Sequence, residues 1–300
     1  MNRPPQPARY LTDAPGLLDW AKTLPIYPVP QHAFSRLVHR VTRIRARWLR
    51  RLLTAAFIRY FGVDMSEAVE PDPMAYAHFN DFFTRALRPG IRPPPENAGA
   101  ICSPADGAIS ALGPINDDAI IQAKGHKYSL TTLLGGDPGR AHPFRDGNFV
   151  TIYLSPRNYH RVHIPLAGQL REMVHVPGRL FSVGRHTVRT VPELFARNER
   201  VACLFDTDAG AMAVVLVGAI GVGSIETVWA GEVTPPRGHS VRVTSYGPQA
   251  PAFGRGDEIG RFNMGSTAVV LFGPGMAELD ANLQVDEEVR VRQQIGRLLG

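Results

Sequence analysis

The sequence predicts an α+β protein: a mainly antiparallel β core, sandwich- or barrel-like, behind an N-terminal amphipathic helical region. Three observations carry that expectation. Of 300 residues, 44% are hydrophobic, enough to bury a real core. Before residue 62, apolar residues recur at helical spacing among arginines. After Ile101, short apolar runs alternate with Gly, Pro and Asp turn signals.

The N-terminal stretch, "MNRPPQPARYLTDAPG", lacks the apolar core of a signal peptide. Pro25, Pro28 and Pro30 then break the chain. From Ala33 to Phe61 there are eight arginines and no acid, with Phe34, Leu37, Val41, Leu52, Leu53 and Phe57 among the apolar residues at helical spacing. This is one amphipathic helix, or two, with a basic face. Such a helix either packs on the core with solvated arginines or lies in the interface of an anionic bilayer. The pattern alone leaves both open. Leu52, Leu53 and Phe57 are then candidates for the bilayer side, and Arg43, Arg47 and Arg50 for lipid phosphates.

Residues 64–100 read as a connector between proline clusters, with one short helical stretch from Phe79 to Leu87. The β region follows in "FVTIYL", "QLREMVHV", "VACLFD", "AMAVVLVGAI", "SVRVTS" and "TAVVLF". Its spacing fits an antiparallel core. The tail, Leu279 to Leu299, is polar and expected to be partly helical. This divides the chain into a basic helical region, 1–63, and a β-rich domain, 64–300.

Bulk charge narrows the partners. A net charge of +6 favours nucleic acid, an acidic substrate or an anionic membrane surface. The nucleotide reading finds no support, because GxxxxGK[ST] is absent and "GVGSIE" precedes no helical pattern. No run approaches the roughly 18–20 apolar residues of a membrane span. Cys102 and Cys203 lie in no CxxC pair, which argues against a disulfide scaffold and for a reducing compartment.

The candidate chemistry is sparse. "SPADGAIS" places Asp106 before a glycine, where an ordinary turn aspartate is also expected. "LSPRNYHRVHIP" holds His160 and His163 three apart, a spacing that turns strand residues to opposite faces. The histidines form no zinc pattern, so no metal is expected. A histidine near neutrality suits a general base. "RFNMGSTAVVLF" sets Gly265 and Ser266 just before an apolar strand. A serine needs a base, and the base an orienting group. Asp106, His163 and Ser266 can fill those roles, though spacing alone does not select them.

Eight stretches together carry a more specific signal. Among them are "FNDFFTRALRPGIRP", "SPADGAIS", "FVTIYLSPRNYHRVHIP", "VGAIGVGSIETVWAGEVTPP" and "GRFNMGSTAVVLF". From about Phe79 to Pro274 the chain resembles the pyruvoyl-dependent phosphatidylserine decarboxylases in their bacterial form. One departure is Met264 where the family commonly has leucine, a near volume-conserving swap.

The resemblance implies a proenzyme that cuts itself between Gly265 and Ser266. Asp106, His163 and Ser266 match the family's self-cleavage triad, and His160 the histidine implicated in decarboxylation as proton donor. Ser266 Oγ would attack the Gly265 carbonyl to give an ester, with glycine allowing the bend. Elimination and hydrolysis then leave a covalent pyruvoyl group at 266 and release ammonia. That ketone would take the amine of phosphatidylserine as a Schiff base and act as electron sink, giving phosphatidylethanolamine and carbon dioxide. The products of the cut would be a β chain, 1–265, and an α chain, 266–300, held together without a covalent link. The resemblance extends to a homodimer of that pair. A diacyl lipid substrate places the enzyme peripherally on the cytoplasmic face of the cell membrane and favours the membrane reading of the basic helices. It gives no role to "FNDFFTRALRPG". A second pair, Gly223–Ser224, is a far weaker cut site. Two other readings compete: a membrane-docking β module without catalysis, which leaves Gly265–Ser266 idle, and a His/Asp metal hydrolase, which needs bound zinc and an intact chain.

Overall fold

The apolar runs after residue 101 form strands, paired antiparallel throughout the sheets. The structure is a computed structural model that describes residues 7–221, 224–234 and 240–299. Its largest sheet has ten strands. Their order runs Arg9–Tyr10, Gly107–Pro114, Asn148–Leu154, Ser266–Phe272, Gly210–Val217, Arg200–Thr207, Gly168–Val176 and Arg242–Ser245. Ala252–Phe253 and Glu288–Val289 complete it.

Both faces of this sheet are covered. Ala268, Val270 and Phe272 point into one apolar core, Val269 and Leu271 into the other. This period of two explains why Thr267 to Phe272 reads as an unbroken apolar run: each side of the strand meets a packed layer. The first core is closed by smaller sheets that contribute Val162, Ile225, Phe262 and Ile295. The second is closed by the hairpin Ala119–Ser129 and short helices that bring Leu133, Val188 and Phe195. Covered in this way, the sheet stays open. Its end strands Arg9–Tyr10 and Arg242–Ser245 do not pair with each other, so the barrel-like alternative is not the architecture.

The basic region is helical but broken. Helix α1 spans Leu17–Thr23, α2 Gln31–Val41 and α3 Arg47–Phe61. Helix α3 ends at Gly62, whose φ of 66° is the left-handed cap that glycine adopts without strain. The helical stretch expected from Phe79 to Leu87 is shorter: α4 covers Phe79–Phe83. Thr84 turns its hydroxyl back to the Asn80 carbonyl, and Leu87 leaves to bridge Ala68. The tail is not helical. Gln294–Leu298 lies between Ala277–Leu279 and Ala100–Cys102, where sheet pairing overrides a weak helical preference. Cys102 and Cys203 are buried and free.

Candidate active site

The chain changes sheets at Asn263–Gly265. Glu258–Phe262 belongs to a four-stranded sheet, and Ser266 begins the strand in the middle of the large one. The bend was expected at Gly265, but the backbone places it one residue earlier. Met264 has φ 138°, an unfavourable conformation for a side-chain-bearing residue, whereas Gly265 lies outside the left-handed region. Strain of this kind costs about 1–3 kcal/mol and persists only where neighbours hold it. Asn263 is one such neighbour. Its amide accepts from Asn80 of α4 at 3.0 Å and donates to Ser224 Oγ at 2.5 Å. Space does not force glycine at 265. A Cβ there would make ordinary contacts with His160 Nε2 at 3.5 Å and the Leu154 carbonyl at 3.6 Å.

Ser266 is fully buried, and its Oγ has no hydrogen-bond partner among the described residues. An unmatched buried hydroxyl is costly in a settled core. Beside the same peptide lies His160, also fully buried. Its Nδ1 faces the Asn158 carbonyl at 2.8 Å, which only accepts, so Nδ1 carries the hydrogen. Nε2 is left with a free lone pair and no hydrogen-bond partner among the described residues. Burial, then the charge of Arg85, pushes this imidazole down to about 3, so it is neutral. The Phe83 ring lies against it with centroids 4.1 Å apart.

His163 faces elsewhere, as residues three apart on extended backbone should. Its Nδ1 meets the Gly256 carbonyl at 2.8 Å, and Nε2 accepts from the Tyr159 hydroxyl at 3.1 Å. Burial lowers its pKa as well. Asp106 does not form a local turn bond. It accepts from the Val291 backbone N–H at 2.7 Å and from Arg92 Nη2 at 3.0 Å. Arg92 is shared with Glu67; burial opposes its charge, but these two carboxylates hold it above the usual range. The structure thus brings His160 and Ser266 to one peptide bond. It does not hydrogen-bond Asp106, His163 and Ser266 to one another.

The second glycine–serine pair differs in kind. Gly223 lies outside the described residues. Ser224 is buried, but its hydroxyl donates to Glu232 at 2.9 Å and accepts from Asn263. Sequence reasoning found no role for Phe83, Arg85 or Asn80. All three fall in "FNDFFTRALRPG", whose match to the family was the only signal available.

Helices α2 and α3 border an open apolar groove of about 540 Å³. Leu37, Val41, Leu53, Phe57 and Phe79 line it, as does Met264, two residues from Ser266. Leu53 and Phe57 are half-buried against α4, so of the three candidates for the bilayer side only Leu52 is well exposed, at 60%. Trp48 is 70% exposed. Arg43 pairs with Glu232, and Arg50 donates to the Tyr76 carbonyl at 2.7 Å. Arg36, Arg40, Arg45, Arg47, Arg51 and Arg59 remain exposed. No helix among the described residues is long and apolar enough to cross a membrane.

Comparison with known proteins places the chain in a family. Residues 79–297 match the family model for phosphatidylserine decarboxylase, and residues 21–62 match a second model described as PSD. The chain is 62% identical over 255 residues to a phosphatidylserine decarboxylase proenzyme of Alkalilimnicola ehrlichii, covering 85% of this chain and 88% of that one. It is 57% identical over 272 residues to the proenzyme of Pseudomonas entomophila, covering 90% and 94%. It is 61% identical over 251 residues to that of Bordetella pertussis, covering 83% and 84%. Matches of this extent, over both the helical region and the β core that carries Gly265–Ser266, mean that the chain belongs to the phosphatidylserine decarboxylase family.

Proposed function

We propose that this chain is a proenzyme that cuts itself at Gly265–Ser266 and then decarboxylates phosphatidylserine to phosphatidylethanolamine at a membrane surface. The observation that carries the site is a pair of orphaned buried atoms, Ser266 Oγ and His160 Nε2, beside one peptide bond next to a strained residue. Ser266 is the nucleophile of the cut and the source of a pyruvoyl group at the same position. The surroundings fit that group: a fully buried terminus, no competing hydrogen bond, and a strand that anchors it from the downstream side. When formed, the group supplies a ketone that takes up an amine and accepts the electrons released with carbon dioxide.

The two histidines divide the work. Burial lowers both imidazoles, so basicity does not separate them; the family resemblance assigns His160 to the decarboxylation. There the negative charge of a bound headgroup raises its basicity and makes it the proton donor. His163 is assigned as base of the cut, with Asp106 behind it. For this His163 must exchange Gly256 for Asp106 at Nδ1 and Tyr159 for Ser266 at Nε2. A second assignment, with His160 as base, is favoured by its Nε2 lying nearest Gly265.

The N-terminal region supports the membrane part. On α3, exposed Trp48 and Leu52 alternate with exposed Arg47, Arg51 and Arg59, and the groove that Leu52 lines also reaches Met264. Such a face suits an anionic bilayer on the cytoplasmic side of the cell membrane, with an acyl chain in the groove.

Denaturing mass spectrometry tests the processing. The wild-type protein is expected to yield fragment 266–300 with a blocked N-terminus, and Ser266→Ala and His163→Ala a single chain. His160→Ala is expected to be cut but to release carbon dioxide about 10²–10⁴ times more slowly. A single intact chain with full decarboxylase activity refutes the proposal. If His160→Ala stays whole while His163→Ala is cut, the base is His160.

A further inference from the structure

A polar cavity of about 340 Å³ opens beside the C-terminal end of α3, where Gly62 lines it. Four arginines and four acids surround it: Arg85, Arg92, Arg157 and Arg290 with Asp64, Glu67, Asp106 and Glu288. Three of the arginines are neutralised. Arg92 pairs with Glu67 at 2.6 Å and Asp106 at 3.0 Å, Arg290 with Glu67 at 3.3 Å, and Arg157 with Glu288 at 2.8 Å. Asp64 accepts instead from the Ser66 backbone N–H at 2.8 Å.

Arg85 has no carboxylate at ion-pair distance among the described residues. Its side chain is buried, at 5% exposure. Nη2 donates to the Arg157 carbonyl at 3.0 Å and the guanidinium lies 5.8 Å from the Phe82 ring centroid, while Nε and Nη1 have no hydrogen-bond partner among the described residues. A buried guanidinium with free donors is expensive unless an anion completes it. Its planar fork matches two oxygens of one oxyanion.

The location ties this cation to the reaction. Arg85 lies two residues after Phe83, whose ring packs on His160. Asn158, which fixes His160 through its carbonyl, lines the same cavity. Immediately before Gly62, Tyr60 and Phe61 line the apolar groove. Polar cavity and apolar groove therefore flank one helix end, an arrangement fitted to a lipid with a charged head and an acyl tail.

We propose that Arg85 binds the phosphodiester of the lipid headgroup. This rests on the decarboxylase reading and names the anchor for its substrate. The headgroup carboxylate is the poorer candidate on physical grounds. Its charge leaves the carboxyl group as carbon dioxide departs, so an arginine holding it would stabilise the ground state more than the transition state and slow the step. A phosphodiester keeps its charge throughout and is present in both substrate and product.

The test uses unbroken chains carrying Ser266→Ala, with Arg85 retained or changed to R85Q or R85K. Affinities for short-chain phosphatidylethanolamine and phosphatidylserine, below their micelle concentrations, are measured by titration calorimetry. R85Q is expected to weaken both by the same factor, about tenfold or more. R85K keeps the charge but loses the fork; a several-fold loss for both lipids is expected, and it carries the same test should R85Q not fold. A loss confined to phosphatidylserine assigns Arg85 to the carboxylate and overturns the proposal, as do unchanged affinities. Carbon dioxide release by the wild-type protein is measured alongside. Its absence removes the decarboxylase reading, whereas the calorimetric comparison bears on Arg85 alone.

Discussion

Two buried serines show how context separates identical side chains. Ser224 has its hydroxyl engaged by Glu232 and Asn263; Ser266 has none of this and borders a strained residue. In sequence both are simply glycine–serine pairs. His160 and His163 divide in the same manner. Their spacing forecast opposite directions, but which of them meets Gly265 was invisible until Asn158 and Phe83 fixed the His160 ring. Burial of His160 also has a measurable consequence. Its folded pKa, about 3, lies below the unfolded value near 6.5, so the unfolded chain binds the extra proton first as pH falls. The stabilisation is complete above pH ~6.5 and is lost progressively toward pH ~3. Between pH ~6.5 and ~4.5 most carboxylates are still ionised, so histidines dominate this window. His163, His78 and His186, also lowered chiefly by burial, act in the same direction. Urea unfolding of the Ser266→Ala chain at pH 7 and pH 5 is expected to show a clear loss at the lower pH, up to ~1.4 kcal/mol per pH unit for each such histidine. His160→Gln should reduce that loss. An unchanged pH dependence in this variant would mean that His160 is not buried neutral.

Among the elements, α4 gains a role that periodicity could not give it. Phe82 and Phe83 are buried against Phe57 of α3, and Phe83 also meets His160, so one short helix joins the N-terminal region to the site. Phe83→Leu keeps most of the volume but removes the flat ring. It is expected to leave the cut intact and lower kcat by about tenfold with little change in KM, because the imidazole loses its orientation. A rise in KM alone would contradict that role. The basic helices were legible as amphipathic, and their separation into α2 and α3 agrees with the sequence reading of one or two. Which apolar residues face outward was not legible. Leu53 and Phe57 have the same helical spacing as Leu52, but α4 covers them. The exposed pair is therefore the one to change. Trp48→Ser with Leu52→Ser is expected to weaken flotation with anionic vesicles more than tenfold, since each buried side chain of this size contributes about 1.5–3 kcal/mol. Equal flotation of variant and wild type would place the membrane contact elsewhere. The tail teaches the converse lesson: its polar sequence hid strands whose partners lie nearly 200 residues earlier.

For the whole molecule, the cut falls where the sheets can tolerate it. Strand Ser266–Phe272 pairs on both sides, with Asn148–Leu154 and Gly210–Val217. Farther along, Glu288–Val289 pairs with Gly107–Ala108, and Gln294–Leu298 with Ala100–Cys102. Fragment 266–300 is thus woven into the large sheet, built mainly from 1–265, and tied to Ala100–Cys102 in a three-stranded one. The two pieces are expected to coelute on size exclusion under native conditions and to separate only in denaturant. Loss of the fragment without denaturant would show that this pairing does not hold the processed enzyme. What the sequence by itself determined is whatever depends on local order: antiparallel strands from apolar runs between turns, basic amphipathic helices from spacing, and the family from long stretches matched in register. Tertiary structure alone decided which face of α3 is free, that the sheet stays open between covering layers, that Met264 rather than Gly265 bears the strain, and that Arg85 has no carboxylate at ion-pair distance among the described residues. Each of these depends on which residues distant in the chain become neighbours, and a linear pattern of types carries no record of that.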